Sequence, residues 1–132
     1  MSSDQFNIYA KFYDLLYRDK DYTREAAYID SLISKHSKKN RKEIRLLDLA
    51  CGTGKHLFEL TELGYEHLSG SDISASMIEV AREKATRLNK NITFNNYSFQ
   101  ESNKILPAKF DVVISMFSAV NYITNFEEQL QA

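Results

Sequence analysis

Apolar residues recur along the chain at spacings that predict several helices. Helical spacing covers residues 5–18, where tyrosines are interleaved with the apolar groups, and it returns over residues 22–36. The predicted buried stripe of the second of these helices comprises Tyr22, Ala26, Ile29 and Ile33. Further helices are predicted over residues 55–63, 75–88 and 125–131.

The two helices predicted in the middle of the chain have identifiable ends and faces. The helix over 55–63 turns Leu57, Leu60 and Leu63 inward, and Gly64 follows it as a carboxyl-terminal cap. Ser74 is a good amino-terminal cap for the helix over 75–88. The predicted buried stripe of that helix is Met77, Ala81, Ala85 and Leu88.

Short segments between the helices predict four strands, over residues 44–49, 67–71, 92–94 and 110–116. The last is nearly all apolar, which is typical of a strand covered on both faces. Strands that alternate with helices form a parallel sheet, and the right-handed crossover rule gives the order 3-2-1-4. The predicted fold class is therefore α/β, a Rossmann-like doubly wound parallel sheet. Its ligand site would lie at the carboxyl ends of the first and fourth strands.

The most informative stretch is residues 46–56, LLDLACGTGKH, where the first strand meets the following helix. Gly52 and Gly54 allow a tight turn and let a ligand lie against bare backbone, facing the N–H groups that open the helix. A dinucleotide fingerprint, Gly-x-Gly-x-x-Gly, needs a third glycine where this chain has Leu57. The leucine weakens the interpretation that this turn binds the pyrophosphate of a dinucleotide. The alternative to any ligand site is a tight strand–helix turn with a purely structural role.

Asp72 stands at the end of the second predicted strand, twenty positions after Gly52. A carboxylate there can accept hydrogen bonds from both hydroxyls of a ribose, each contributing roughly 1.5–3 kcal/mol. The same placement suits NAD, so Asp72 indicates a ribose without choosing the cofactor. The alternative is an aspartate that only stabilises the start of a helix.

Composition and charge narrow the classes of protein. The 132 residues suffice for one domain, and a net charge of −1 predicts no nucleic-acid or membrane partner. The amino terminus lacks the features of a signal peptide, and no apolar stretch approaches the ~20 residues of a membrane span, so the predicted location is the cytoplasm. One cysteine and three scattered histidines predict no disulfide and no metal site. Cys51 is either a reactive thiol or a small residue chosen for packing, and packing is favoured.

Asp48 and the segment Ala50-Cys51-Gly52-Thr53-Gly54 closely resemble motif I of the class I S-adenosylmethionine-dependent methyltransferases. Residues 110–123, FDVVISMFSAVNYI, are similar to motif IV of small-molecule N-methyltransferases, especially those acting on nucleotide-linked amino sugars. Tyr13-Asp14 and Lys20-Asp21-Tyr22 resemble the tyrosine-bearing cap helices of those enzymes. The resemblance implies S-adenosylmethionine as cofactor and a small molecule, an amine, as methyl acceptor.

The same resemblance implies a cofactor site in several parts. The methionine moiety would be held by Asp48 and the turn residues Ala50, Cys51, Gly52 and Gly54. Asp72 would bind the ribose, and the adenine would be lined by Ile73, Met77, Phe99 and Gln100. Met116 would lie near the cofactor, and Tyr13 and Tyr22 would close over it from the cap helices.

Two positions depart from the family pattern. Family members usually carry Gly-Asp where this chain has Phe99-Gln100, although a glutamine side chain can still accept from the adenine amino group. A histidine proposed as a base in the sugar enzymes falls at Tyr122, whose phenol, with a pKa near ~10, is a poor base at neutral pH. Tyr122 is thus a weak catalytic candidate, and alignment of nucleophile, methyl and sulfur can carry much of the catalysis.

The domain organisation follows from the resemblance. Residues 1–40 would form two cap helices, and residues 41–132 an incomplete cofactor-binding core that lacks the usual strands 5–7. We therefore expect a fragment of a longer enzyme, with self-association through the exposed edge of the fourth strand as a further expectation. Two other functions stay open: a noncatalytic interaction or cofactor-sensing module, and an NAD-dependent oxidoreductase, which the missing third glycine disfavours.

Overall fold

Helices and strands alternate along the chain in the computed structural model, which describes residues 21–98, 101 and 110–116. The helices are α1 (Tyr22–His36), α2 (Lys55–Glu62) and α3 (Ala75–Leu88). The strands are β1 (Arg45–Leu49), β2 (His67–Ser71), β3 (Ile92–Asn95) and β4 (Val112–Ile114). The helices predicted over 5–18 and 125–131 lie outside the described residues.

The strands of the described residues form one parallel sheet in the order β3-β2-β1-β4. β1 is an interior strand, and its Asp48 lies beside Gly70 of β2 and Ile114 of β4. This order confirms the predicted topology. Because the strands are parallel, the carboxyl ends of β1, β2 and β4 meet at one edge of the sheet, where ligands of such folds bind.

One hydrophobic core joins the three helices to the sheet. Alternate strand residues such as Leu46, Leu68 and Phe94 pack in it with the inward faces of α1, α2 and α3. Leu47 and Leu49 point to the opposite face of β1 and pack against Phe110 and Val113. Since strand side chains alternate, the Asp48 carboxylate projects to the same face as Leu46.

Helix α1 has the bounds and the buried stripe that the apolar spacing predicted. Asp21 caps it, because its side chain accepts a hydrogen bond from Arg24 N at 2.9 Å. Its buried residues are Tyr22, Ala26, Ile29 and Ile33, as predicted. Most of this stripe belongs to the same core as the sheet. The division into a cap region at 1–40 and a core at 41–132 stays a prediction.

The predicted ends of α2 and α3 are confirmed, whereas one predicted core residue is wrong. Gly64 follows α2 with a φ of +102°, and Ser74 Oγ accepts a hydrogen bond from Met77 N at 3.2 Å. Leu88, predicted to be buried, is 45% exposed. It is the last residue of α3, and the chain then leaves the helix through Asn89 at a φ of +54°, so the Leu88 side chain lies beyond the core.

Strand β4 is shorter and less buried than the apolar segment 110–116 predicted. Val112, Val113 and Ile114 are only half-buried, although residues of the segment pack against apolar clusters on both faces, so the predicted cover is partial among the described residues. Its pairing with β1 ends where Ile114 lies opposite Asp48, one residue before β1 itself ends at Leu49. Within the described sheet β4 is a terminal strand, paired with β1 on one side.

Candidate functional site

The turn between β1 and α2 contains three residues in the left-handed backbone conformation. Ala50, Gly52 and Gly54 have φ values of +56°, +59° and +87°. Cys51 N donates to Ser71 O at 2.9 Å, which ties the turn to the end of β2. A Cβ at Gly54 would lie 2.9 Å from Phe94 Cζ, so both the backbone and the packing require glycine there.

The Asp72 carboxylate lies directly against this turn. Gly52 N donates to Asp72 Oδ2 at 2.9 Å, and Ser74 N donates to Asp72 Oδ1 at the same distance. The backbone of Asp72 is fixed by the loop after β3, because Asn96 Nδ2 donates to Asp72 O at 2.9 Å. The glycine turn and the carboxylate, predicted separately from the sequence, therefore converge at one point.

The two hydrogen bonds leave the Asp72 carboxylate with unused acceptor capacity. An ionised carboxylate offers about four lone-pair positions. The described residues use one on each oxygen. One position on each oxygen is left, which matches the two neighbouring hydroxyls of a ribose.

Asp48 supplies a second carboxylate, and it is buried. It is 1% exposed, and burial raises the pKa of its carboxyl well above the usual range, with the charge of Asp72 adding to the effect. Asp48 Oδ1 has no hydrogen-bond partner among the residues that the structure describes. Buried polar atoms are normally paired, so this oxygen is suited to a donor from a bound ligand.

Cys51 is a packing residue of the turn. Its side chain is buried, and a Cβ placed on Gly70 would lie 2.8 Å from Cys51 Sγ. Burial raises the pKa of its thiol well above the ordinary value, and the charges of Asp48 and Asp72 raise it further. The nucleophilic thiolate is therefore disfavoured.

We expect Cys51 in the native chain to react with a thiol reagent at least about 100-fold more slowly than in the denatured chain, because the thiol is both buried and protonated. Absorbance of the thiolate released from an aromatic disulfide reagent, with and without guanidinium, measures the two rates. Equal rates in the two conditions would restore the reactive-thiol alternative.

The remaining residues implied by the family resemblance differ in their exposure and surroundings. Ile73 is 71% exposed beside Asp72, whereas Met77 is 6% exposed. Tyr22 is buried against the first turn of α2, and Met116 packs against the core in an apolar groove beside α1. The other four residues lie outside the described part of the chain, and their roles stay predictions: Tyr13, Phe99, Gln100 and Tyr122.

Sequence reasoning missed two features that support the site. His56 is 3% exposed and contacts Glu25 of α1, although a histidine beside a glycine turn gave no sign of burial. Asn96 fixes the backbone of Asp72 from the end of β3. The only signal for Asn96 was the pair of asparagines that follows the third predicted strand.

Comparison with known proteins decides the family. A model of the methyltransferase domain matches residues 46–132, which is more than half of the chain. The chain belongs to the S-adenosylmethionine-dependent methyltransferase family. This match confirms the family, the Rossmann-like fold and the methyl donor that the resemblance implied, and it favours that donor over NAD.

Individual relatives of this methyltransferase-family chain are larger proteins. The dTDP-3-amino-3,6-dideoxy-alpha-D-glucopyranose N,N-dimethyltransferase of Streptomyces fradiae is 34% identical over 121 residues, which cover 90% of this chain and 44% of that protein. The crystal structure of Streptomyces venezuelae DesVI is 35% identical with a TM-score of 0.69, covering 91% of this chain and 48% of that one. CalS10, an amino pentose methyltransferase from Micromonospora echinaspora with S-adenosylmethionine bound, is 27% identical with a TM-score of 0.67, covering 89% and 47%. The chain thus spans about half the length of the curated relatives it matches.

None of the helices in the described segments combines the length and the apolar character that crossing a bilayer requires.

Proposed function

We propose that this chain forms the cofactor-binding part of an S-adenosylmethionine-dependent methyltransferase that acts on a small-molecule amine. The observation that carries the proposal is the 2.9 Å hydrogen bond from Gly52 N to Asp72 Oδ2. It joins the glycine turn and a ribose-type carboxylate in a single site. Relatives named as amino-sugar and amino-pentose methyltransferases support an amine as the acceptor class.

The polar groups of the site suit this methyl donor better than a dinucleotide. The buried Asp48 Oδ1 lacks a partner among the described residues, and the ammonium of the methionine moiety is a donor of the right charge. Asp72 retains an acceptor position on each oxygen for the ribose hydroxyls. The position of the third fingerprint glycine is filled by Leu57, which is fully buried in the core.

The proposed mechanism assigns binding and orientation to the described residues. When bound, the cofactor supplies a methyl group on a sulfonium, which is already activated for displacement. Asp48 and the turn would hold one end of the ligand and Asp72 the other, so that the reactive methyl has a fixed position. A strong general base is needed only if the amine arrives protonated. Tyr122, the weak candidate for that role, stays a prediction.

The side chains proposed to line the cofactor differ in how much surface they offer it. Ile73 has the exposure expected of a residue that covers an adenine, whereas the buried Met77 offers a ligand only a small part of its surface. Tyr22 would contribute from α1. The cytoplasmic location, the lack of nucleic-acid and membrane partners, and self-association through the outer edge of β4 also stay predictions.

Calorimetric titration tests the cofactor. We expect S-adenosylmethionine and S-adenosylhomocysteine to bind with dissociation constants in the range of about 1 μM to 1 mM typical of enzyme substrates, and NAD to bind more weakly than either. Tighter binding of NAD than of S-adenosylhomocysteine would contradict the proposal.

A methyl-transfer assay separates an enzyme from a cofactor-sensing module. The chain is incubated with S-adenosylmethionine labelled on the methyl group and a panel of amines that includes nucleotide-linked amino sugars. Transfer to any of them eliminates the noncatalytic alternative. Cofactor binding without transfer to any amine would favour that alternative for this chain.

A further inference from the structure

A polar pair made of a buried histidine and a partly exposed glutamate links α1 to α2 close to the glycine turn. His56 is 3% exposed, and its Nε2 lies 2.9 Å from Glu25 Oε1. Because an ionised carboxylate can only accept, His56 Nε2 donates this hydrogen bond. The rings of His56 and Tyr22 pack in an edge-type arrangement, with centroids 4.9 Å apart and an interplanar angle of 68°. We call Tyr22, Glu25 and His56 the brace.

The brace lies at the ends of both helices that are near the cofactor site. Tyr22 is the first residue of α1, and His56 is the second residue of α2, two positions after Gly54. Lys55 Nζ lies 5.3 Å from the centroid of the Tyr22 ring, so the first turn of α2 contacts this ring at two successive residues. The backbone N–H groups at the start of α2, which have no partner within the helix and face the glycine turn, belong to this same first turn of the helix.

Stability alone is a poor explanation for a polar pair with a buried histidine at this place. Replacing a buried ion pair by well-packed apolar residues is often neutral or stabilising, because burial removes water from both groups. The inner part of the α1 and α2 contact is apolar, with Ala26, Leu57 and Leu60 in the shared core, and an exposed hydrogen bond from Thr23 to Glu59 also joins the two helices. The hydrogen bond of the pair fixes the orientation of the His56 imidazole, and the contact between the two rings then fixes the position of the Tyr22 ring.

We propose that His56 is a positioning residue for the methionine end of the cofactor. Its hydrogen bond to Glu25 orients the imidazole, and the imidazole holds Tyr22 against the first turn of α2. This keeps the wall formed by Tyr22 and the backbone after Gly54 in the arrangement that the methionine moiety requires. The inference rests on the proposed function, because it assumes that S-adenosylmethionine binds at the glycine turn.

Two ligands that differ only at the methionine end test the brace. S-Adenosylhomocysteine carries the amino acid part, whereas adenosine contains only the base and ribose. We expect His56→Leu to weaken S-adenosylhomocysteine binding about tenfold while adenosine binding changes less than about twofold. The reason is that only S-adenosylhomocysteine has an amino acid part that reaches the wall formed by Tyr22 and the backbone after Gly54. Calorimetry gives both dissociation constants.

Three further variants complete the test. His56→Gln keeps an N–H that can reach Glu25, and it should restore S-adenosylhomocysteine affinity to within about threefold of the native chain. Glu25→Ala, at a partly exposed position, should reproduce the selective loss without a new cavity at the centre of the core. Thr23→Val is the matched control, because it removes the 3.1 Å hydrogen bond to Glu59 between the same two helices without touching the brace. It should leave both affinities unchanged.

The outcomes distinguish the brace from the proposed function. If the native chain binds neither ligand, the proposed function fails and the brace fails with it. If the native chain binds both and His56→Leu weakens them equally, or weakens neither, the positioning role is overturned while the cofactor assignment stands. A thermal melt of each variant shows that the folded chain is being measured.

Discussion

Replacing Asp72 with alanine is expected to lower the affinity for S-adenosylhomocysteine by about 100-fold or more, because two ribose hydrogen bonds of roughly 1.5–3 kcal/mol each are lost. The change also leaves Gly52 N and Ser74 N without the acceptor that now lies 2.9 Å from each of them. The glycine turn would therefore lose one of its hydrogen bonds to the end of β2, while the bond from Cys51 N to Ser71 O remains, and the ligand would lose its anchor. Isothermal titration calorimetry measures the effect.

Asp111→Ala is the matched control for this change in charge. Asp111 pairs with Arg45 and Lys39 before the start of β4, at the edge of the sheet opposite the carboxyl end of β2 that carries Asp72. Its loss should leave ligand affinity within about twofold of the native value, because exposed ion pairs far from a site contribute little to it. An Asp72→Ala variant that binds as tightly as this control would remove the central support of the proposed function.

Asp48→Asn is expected to have opposite effects on stability and on binding. The pKa of Asp48 is raised in the folded chain, chiefly by burial, so folding disfavours the ionised carboxylate. The native chain therefore loses stability as pH rises above the unfolded value of about 3.9 toward the raised folded pKa. An asparagine does not titrate, so the variant should become more stable than the native chain as pH increases from about 4 to 8.

Binding should change in the other direction. An asparagine cannot neutralise the ligand's ammonium, so the Asp48→Asn variant should bind S-adenosylhomocysteine about 10-fold to 100-fold more weakly, in line with hydrogen bonds to charged groups. Denaturant unfolding across the pH range and calorimetry at pH 7.5 measure the two effects. A stability difference that is independent of pH would show that Asp48 does not titrate as its burial requires.

Asp111→Asn is the comparison variant, for which we expect the opposite change in stability with pH. Hydrogen bonds donated by the side chain and the backbone N–H of Arg45, together with one from Lys39, lower the pKa of the Asp111 carboxyl, so its ionised form favours folding. That variant should lose stability relative to the native chain at neutral pH, and the loss should diminish as pH falls below the unfolded value. The two substitutions would thus change the pH dependence of stability with opposite signs, because folding raises the pKa of Asp48 and lowers that of Asp111.

The parts of the site that could be predicted from sequence are those governed by local rules. Gly52 and Gly54 indicate a turn because other residues rarely adopt left-handed backbone, and the spacing to Asp72 follows from one strand–helix–strand unit. The caps at Ser74 and Gly64 follow from the backbone groups that every helix leaves unpaired. The burial expected of Leu88 and of the fourth strand depended on the elements packed beside them: Leu88 is exposed, and the strand is only half-buried.

The sequence by itself determined the α/β alternation, the strand order and the two residue groups that define the site. Only the tertiary structure decided that Gly52 and Asp72 are joined by a hydrogen bond, that the buried Asp48 Oδ1 has no partner among the described residues, and that His56 links α1 to α2. The reason is the range of the interactions. Turn geometry and apolar periodicity act over a few residues, whereas burial and pairing depend on which distant segments meet in the folded chain.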